Sequence, residues 1–134
     1  MQYIDELKAL ALPSDQYAVF GSGPLAVRNI RRNNDIDIIV TPALWDDLSK
    51  KHEVKDGRSI SLGHVEIWKD QLPYFEDVVR LIEDADIFDG IRYVKLMHLI
   101  EWKSMRNDPK DIEDIHRIKV YMDLYGDGMT RVFE

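Results

Sequence analysis

The chain has no cysteine, which excludes disulfides and thiolate metal centres. It has no apolar run approaching the roughly twenty residues of a membrane span. Its first residues, Met1-Gln2-Tyr3-Ile4-Asp5-Glu6, lack a basic region followed by an apolar core, so a cytoplasmic protein with no membrane contact is expected. Positive charge is also in short supply: 18 Lys and Arg against 25 Asp and Glu give a net charge of −7. That balance weighs against a broad nucleic-acid surface, which needs a basic patch to displace counterions. A local patch at Arg28, Arg31 and Arg32 stays open beside the plainer reading of a solvated helix face. No internal repeat, low-complexity tract or linker divides the 134 residues, a length that suits one domain with one core. Gly126-Asp127-Gly128 is expected only to loosen the C-terminus.

What is present is concentrated in residues 17–40, YAVFGSGPLAVRNIRRNNDIDIIV, which reads as strand, glycine turn, helix, strand. Tyr17-Ala18-Val19-Phe20 is a β-prone run stopped by Gly21-Ser22-Gly23. Pro24 suits the first position of a helix predicted to run to about Arg31. Leu25, Ala26 and Ile30 form its apolar stripe, leaving Arg28, Arg31 and Arg32 to face solvent or an anion. Asn33-Asn34 closes the helix, and a second strand over 36–40 ends at Thr41-Pro42. Strand alternation puts Asp35 and Asp37 on one face and Ile36 and Ile38 on the other. Carboxylates held that close raise each other's pKa unless a cation sits between them, and a divalent metal is the usual resolution. The Gly-Ser turn before a helix is complementary, because its N–H groups and dipole favour a phosphate.

Around this stretch, periodicity predicts helices over 4–12 and 42–51 and strands over 59–62 and 64–68, with Asp56-Gly57 and Leu62-Gly63 as turns. In the last strand Val65 and Ile67 face one way, and His64, Glu66 and Trp68 the other. A helix is expected over 74–85, then a tight hairpin at Asp89-Gly90, then a helix over 94–106. Its stripe of Leu96, Leu99 and Ile100 is continued by Lys103. The final helix opens with Asp108 as N-cap and Pro109 at its first position, and Asp111 lies on the same face as Ile115 and Ile118. Two adjacent helices thus each aim one charge inward, and each charge needs a partner. Two readings stand: a structural Lys103–Asp111 ion pair, or a Lys103 that reaches a nucleotide's phosphates.

Phe20-Gly21-Ser22, twelve residues, then Asp35-Ile36-Asp37-Ile38 resembles the signature of the nucleotidyltransferase superfamily. Arg31, four residues before Asp35, matches an arginine of its small prokaryotic members. A second stretch is similar to the C-terminal half of small nucleotidyltransferase-like proteins linked to abortive-infection and toxin–antitoxin systems. It comprises Asp89-Gly90-Ile91-Arg92, then Leu99-Ile100-Glu101-Trp102-Lys103, then Pro109-Lys110-Asp111. The chain departs from that pattern at Arg106, which Asn107-Asp108 separates from Pro109.

The resemblance implies an α/β (α+β) fold, a small mixed sheet flanked by helices with a C-terminal helical pair. The length suits a single domain over 1–134, and the resemblance, which spans most of 17–115, fits a core at about 17–70 and a helical part at about 74–125. It implies transfer of a nucleoside monophosphate from a nucleoside triphosphate to a hydroxyl acceptor, with Mg²⁺ or Mn²⁺ held by Asp35 and Asp37. Glu66 is the candidate third carboxylate, as metal ligand or proton acceptor. Gly21, Ser22, Arg31 and Lys103 are the candidate nucleotide contacts. The acceptor stays open among a small molecule such as an aminoglycoside, a tRNA and a protein, with an antitoxin as a further candidate partner. The alternative is a member of the same fold that binds a nucleotide or a partner without catalysis.

Overall fold

The computed structural model describes residues 1–71, 73–75 and 77–126. Along the chain run α1 (Ile4–Ala9), β1 (Tyr17–Phe20), α2 (Gly23–Ala26), β2 (Ile36–Val40), α3 (Pro42–Lys51), β3 (Ser59–Leu62), β4 (Val65–Trp68), α4 (Val78–Glu83), β5 (Asp86–Phe88), β6 (Ile91–Tyr93), α5 (Leu96–Arg106) and α6 (Pro109–Tyr125). The strands form one six-stranded mixed sheet in the order β3-β4-β2-β1-β6-β5. β1 runs antiparallel to β2 and parallel to β6, while β2 runs parallel to β4. The expected mixed sheet flanked by helices is therefore present. It extends beyond the early part of the chain, because the β5–β6 hairpin adds its two strands beside β1.

Alternation explains why β1 is buried along its whole length. Tyr17 and Val19 enter one apolar cluster with Ile36, Ile38, Val40, Ile60, Val65 and Ile67, closed by Leu7 of α1 and by Leu44 and Leu48 of α3. Ala18 and Phe20 enter another with Ile39 of β2 and with Leu81, Ile82, Leu96, Leu99, Trp102 and Ile118, contributed by α4, α5 and α6. Sandwiched central strands lose their polar face, and each fully buried Ile or Leu contributes about 1.5–3 kcal/mol. The exception on β2 is Asp37, half-buried between buried Ile36 and Ile38.

Three boundaries differ from expectation by three residues or more, each for a local reason. α2 ends at Ala26, not near Arg31. Asn29 takes the left-handed conformation at φ 60°, and the Asn29 and Ile30 N–H groups return to the carbonyls of Ala26 and Leu25, a Schellman closure. Arg28 consequently turns inward: it is buried, donating to Pro24 O at 2.7 Å and to Asp86 Oδ2 at 2.8 Å rather than facing solvent. α4 starts at Val78, where Asp77 caps it by accepting from Arg80 N, and a turn from Gln71 to Phe75 precedes it. α1 stops at Ala9, and Ala11 follows at φ 51°. Asp127 and Gly128, read as loosening the C-terminus, lie outside the described residues. Among the described residues no helix is long and apolar enough to cross a membrane.

Candidate active site

Register brings the acidic residues together. Because β1 and β2 are antiparallel, the end of one meets the start of the other, and Phe20 stands opposite Asp37. The parallel pairing of β2 with β4 sets Asp37 beside Glu66. One row across the sheet thus reads Phe20, Asp37, Glu66, with Gly21 just beyond the end of β1. Gly21 has φ +66°, and a Cβ there would stand 3.0 Å from Asp37 Oδ2. Glycine is needed at this point both for its backbone and for its lack of bulk. The change of φ from Gly21 to Ser22, at −84°, resembles the alternation that turns successive N–H groups into an anion-binding nest.

Trp68, two residues along β4, donates its indole N–H to Asp37 Oδ1 at 3.1 Å. Burial nevertheless pushes the Asp37 carboxyl up to about 6. The charges of Asp35 and Glu66 add to that push, the Asp35 carboxyl lies within hydrogen-bonding reach, and only the Trp68 bond opposes them. Glu66 is held from the edge strand, where its cross-strand neighbour Ser61 donates to Oε1. Asp35, Asp37 and Glu66 therefore share one electrostatic neighbourhood, and Gly21 and Ser22 border it.

The other two candidates stand elsewhere. Arg31 grips Asp114 through two parallel bonds, Nε to Oδ1 at 2.6 Å and Nη2 to Oδ2 at 2.8 Å. Lys103, 2% exposed, donates to Asp114 Oδ2 at 3.0 Å and lies 3.7 Å from Asp111 Oδ1. Arg106 completes the group with two bonds to Asp111. Asp111 also accepts from Asp108 N, forming a capping box at the start of α6. A nucleotide contact by buried Lys103 requires its bonds to open, whereas Arg31, with its side chain 28% exposed, keeps N–H groups beyond those bound to Asp114 and Arg32 O.

Sequence reasoning missed Trp68 as the donor to Asp37 and Asp114 as the residue joining Arg31 to Lys103. Both left a signal. Trp68 shares a strand face with Glu66, and Asp114 sits three residues after Asp111 and four before buried Ile118, on the inward face of α6.

Oxygen-only donors crowded with like charge suit a hard divalent cation, and Mg²⁺ is commonly held by one or two carboxylates with substrate phosphates supplying the rest. The Asp35–Asp37 pair meets that description. A closed all-protein cage does not form: among the described residues no three His, Asp or Glu side chains converge as a metal site. Comparison of the chain with family models, with curated proteins and with solved structures gave no match in any of the three.

Proposed function

We propose that the chain is a metal-dependent nucleotidyltransferase that transfers a nucleoside monophosphate from a nucleoside triphosphate to a hydroxyl acceptor. The observation that carries this reading is the row in which Gly21 abuts Asp37, with Asp35 and Glu66 around the same carboxyl. Asp35 and Asp37 would hold Mg²⁺ or Mn²⁺, and Glu66 would either add a ligand or take the acceptor's proton. Bound there, the cation supplies charge neutralisation for a phosphoryl group. The N–H groups at Gly21 and Ser22 receive the β- and γ-phosphates. In the second of those roles Glu66 takes the proton of the acceptor hydroxyl, whose oxygen bonds to the α-phosphorus as the bond to pyrophosphate breaks. The acceptor is a small molecule, a tRNA or a protein.

The second reading is a nucleotide- or partner-binding protein of the same architecture without catalysis. One experiment separates the two. Each α-labelled nucleoside triphosphate is incubated with Mg²⁺ and a cell extract, using wild type and Asp37→Asn. Label entering one fraction with wild type, and reduced by at least about a thousandfold in the variant, supports transfer. Equal labelling by both removes the assignment of Asp37, and nucleotide binding without labelling favours the second reading.

A further inference from the structure

Among the described residues, Glu66 is the one of the three clustered carboxylates with an ammonium group beside it. Lys55 Nζ lies 4.0 Å from Glu66 Oε1 and donates to Ser61 Oγ at 2.6 Å. An ammonium has no lone pair, so Ser61 Oγ must accept from Lys55, and its single proton goes to Glu66 Oε1. The direction of this chain of bonds is thereby fixed: Lys55 to Ser61 to Glu66.

Backbone structure holds the two donors in place. Asp56 and Gly57 have φ of 52° and 70°, and Arg58 N bonds Lys55 O at 3.0 Å, the form of a type I′ turn. Lys55 N in turn bonds Ser59 O at 2.7 Å. Lys55 is thus anchored across from the start of β3, and Ser61 faces Glu66 in the β3–β4 register. Oε1 accepts from Ser61, while Oε2 has no hydrogen bond among the described residues and is open to a cation or an acceptor proton.

We propose that Ser61, backed by Lys55, is the positioning residue that fixes the Glu66 carboxylate toward Asp35 and Asp37, which makes the edge hairpin a part of the site. This inference rests on the metal-dependent reading above. It differs from a surface ion pair, which the 59% exposure of the Lys55 side chain would otherwise suggest, because it acts through Glu66. Hydrogen-bonded partners of metal-ligating carboxylates typically change metal affinity about 10–100-fold when removed.

The test is Mn²⁺ binding by calorimetry in the presence of a non-hydrolysable ATP analogue, with thermal melting to show that each variant is folded. Ser61→Ala changes no charge and is expected to weaken Mn²⁺ binding about tenfold. Lys55→Met leaves the cluster more negative, which by Coulomb attraction alone would tighten binding, so a weakening there reports lost orientation. Lys55→Arg should restore most of the affinity, and Ser61→Ala should cost nothing further in a Glu66→Gln background. Wild-type affinity in Ser61→Ala, tighter binding in Lys55→Met, or an undiminished Ser61→Ala effect without Glu66 would each overturn the proposal. Wild-type protein that binds no Mn²⁺ would instead sink the metal-dependent reading, and the inference with it.

Discussion

Two of the molecule's groups of buried or half-buried aspartates differ in their company. At the meeting of α5 and α6, Asp111 and Asp114 face Arg31, Lys103 and Arg106. At the strand ends, Asp37 faces Asp35 and Glu66, with an indole N–H as its donor. The same side chain responds in opposite directions. Burial alone would raise Asp111 and Asp114, but the hydrogen bonds and charges of their basic neighbours outweigh it and hold both below the ordinary carboxylate range. Asp37 is pushed up to about 6. Charge matched within the chain ties α2's trailing loop, α5 and α6 together. Charge left unmatched raises the free energy of the folded chain and favours whatever cation relieves it, so perturbation of this second kind is the better pointer to function.

The largest effect expected is at the matched group. Asp114→Asn removes the carboxylate shared by Arg31 and Lys103, leaving Lys103 with Asp111 at 3.7 Å. Breaking such a buried arrangement costs about 3–5 kcal/mol, to be read from urea unfolding. A loss below about 1 kcal/mol, the range of exposed pairs, would erase the distinction between the groups.

The next effect has the opposite sign. The folded pKa of Asp37, about 6, lies above its ordinary 3.8, so between those values the folded chain binds more protons than the unfolded one. Stability contributed by this site therefore falls as pH rises through that window. Asp37→Asn retains an oxygen for Trp68 and discards the penalty, so it should stabilise the protein by about 1–3 kcal/mol near pH 8, and much less near pH 4. For Asp111 and Asp114 the linkage is reversed: their contribution is present above the ordinary carboxylate pKa and is lost as pH falls through their lowered values. Unfolding of wild type and Asp37→Asn at those two pH values checks the first sign, and a destabilisation by Asp114→Asn that shrinks below about pH 3 checks the second. Destabilisation by Asp37→Asn at pH 8 would place Asp37 with the structural acids.

The two groups were not equally legible in the sequence. Local order along residues 17–40 revealed Gly21, Asp35 and Asp37, because strand alternation and a glycine stop are short-range signals. Glu66 was singled out on its own strand, but its place beside Asp37 depends on a parallel pairing between strands 29 residues apart in register, which periodicity does not specify. The inward face of Lys103 and Asp111 was readable from helical spacing, and the structure holds that pair at 3.7 Å. The dominant partner, Asp114, was overlooked although it shares the inward face. Arg31 was expected to face solvent or an anion, but the carboxylate it meets, Asp114, was not foreseen, because the arginine's orientation depends on where α2 ends. That end is set by Asn29 entering the left-handed region, a choice open to asparagine but not compelled by it.

The smallest effect fixes the zero of the comparison. On α3, Lys50 bonds Asp46 at 3.2 Å, with both side chains more than two-thirds exposed. Lys51 repeats the arrangement with Asp47. These are (i, i+4) pairs in the same geometry class as many stabilising helix contacts, and Lys50 also sits in the last turn, where a cation favours the helix dipole. In water and salt, however, such a pair is screened and must hold two mobile side chains in one arrangement. Lys50→Ala should therefore cost no more than about 0.5 kcal/mol by urea unfolding, and raised salt should shrink that further. Its hydrogen-bond length is within a few tenths of an ångström of the Lys103–Asp114 bond at 3.0 Å. If Lys50→Ala cost as much as Asp114→Asn, distance would be setting the worth of a pair in this protein, and the argument from burial and charge matching would fail for both acidic groups at once.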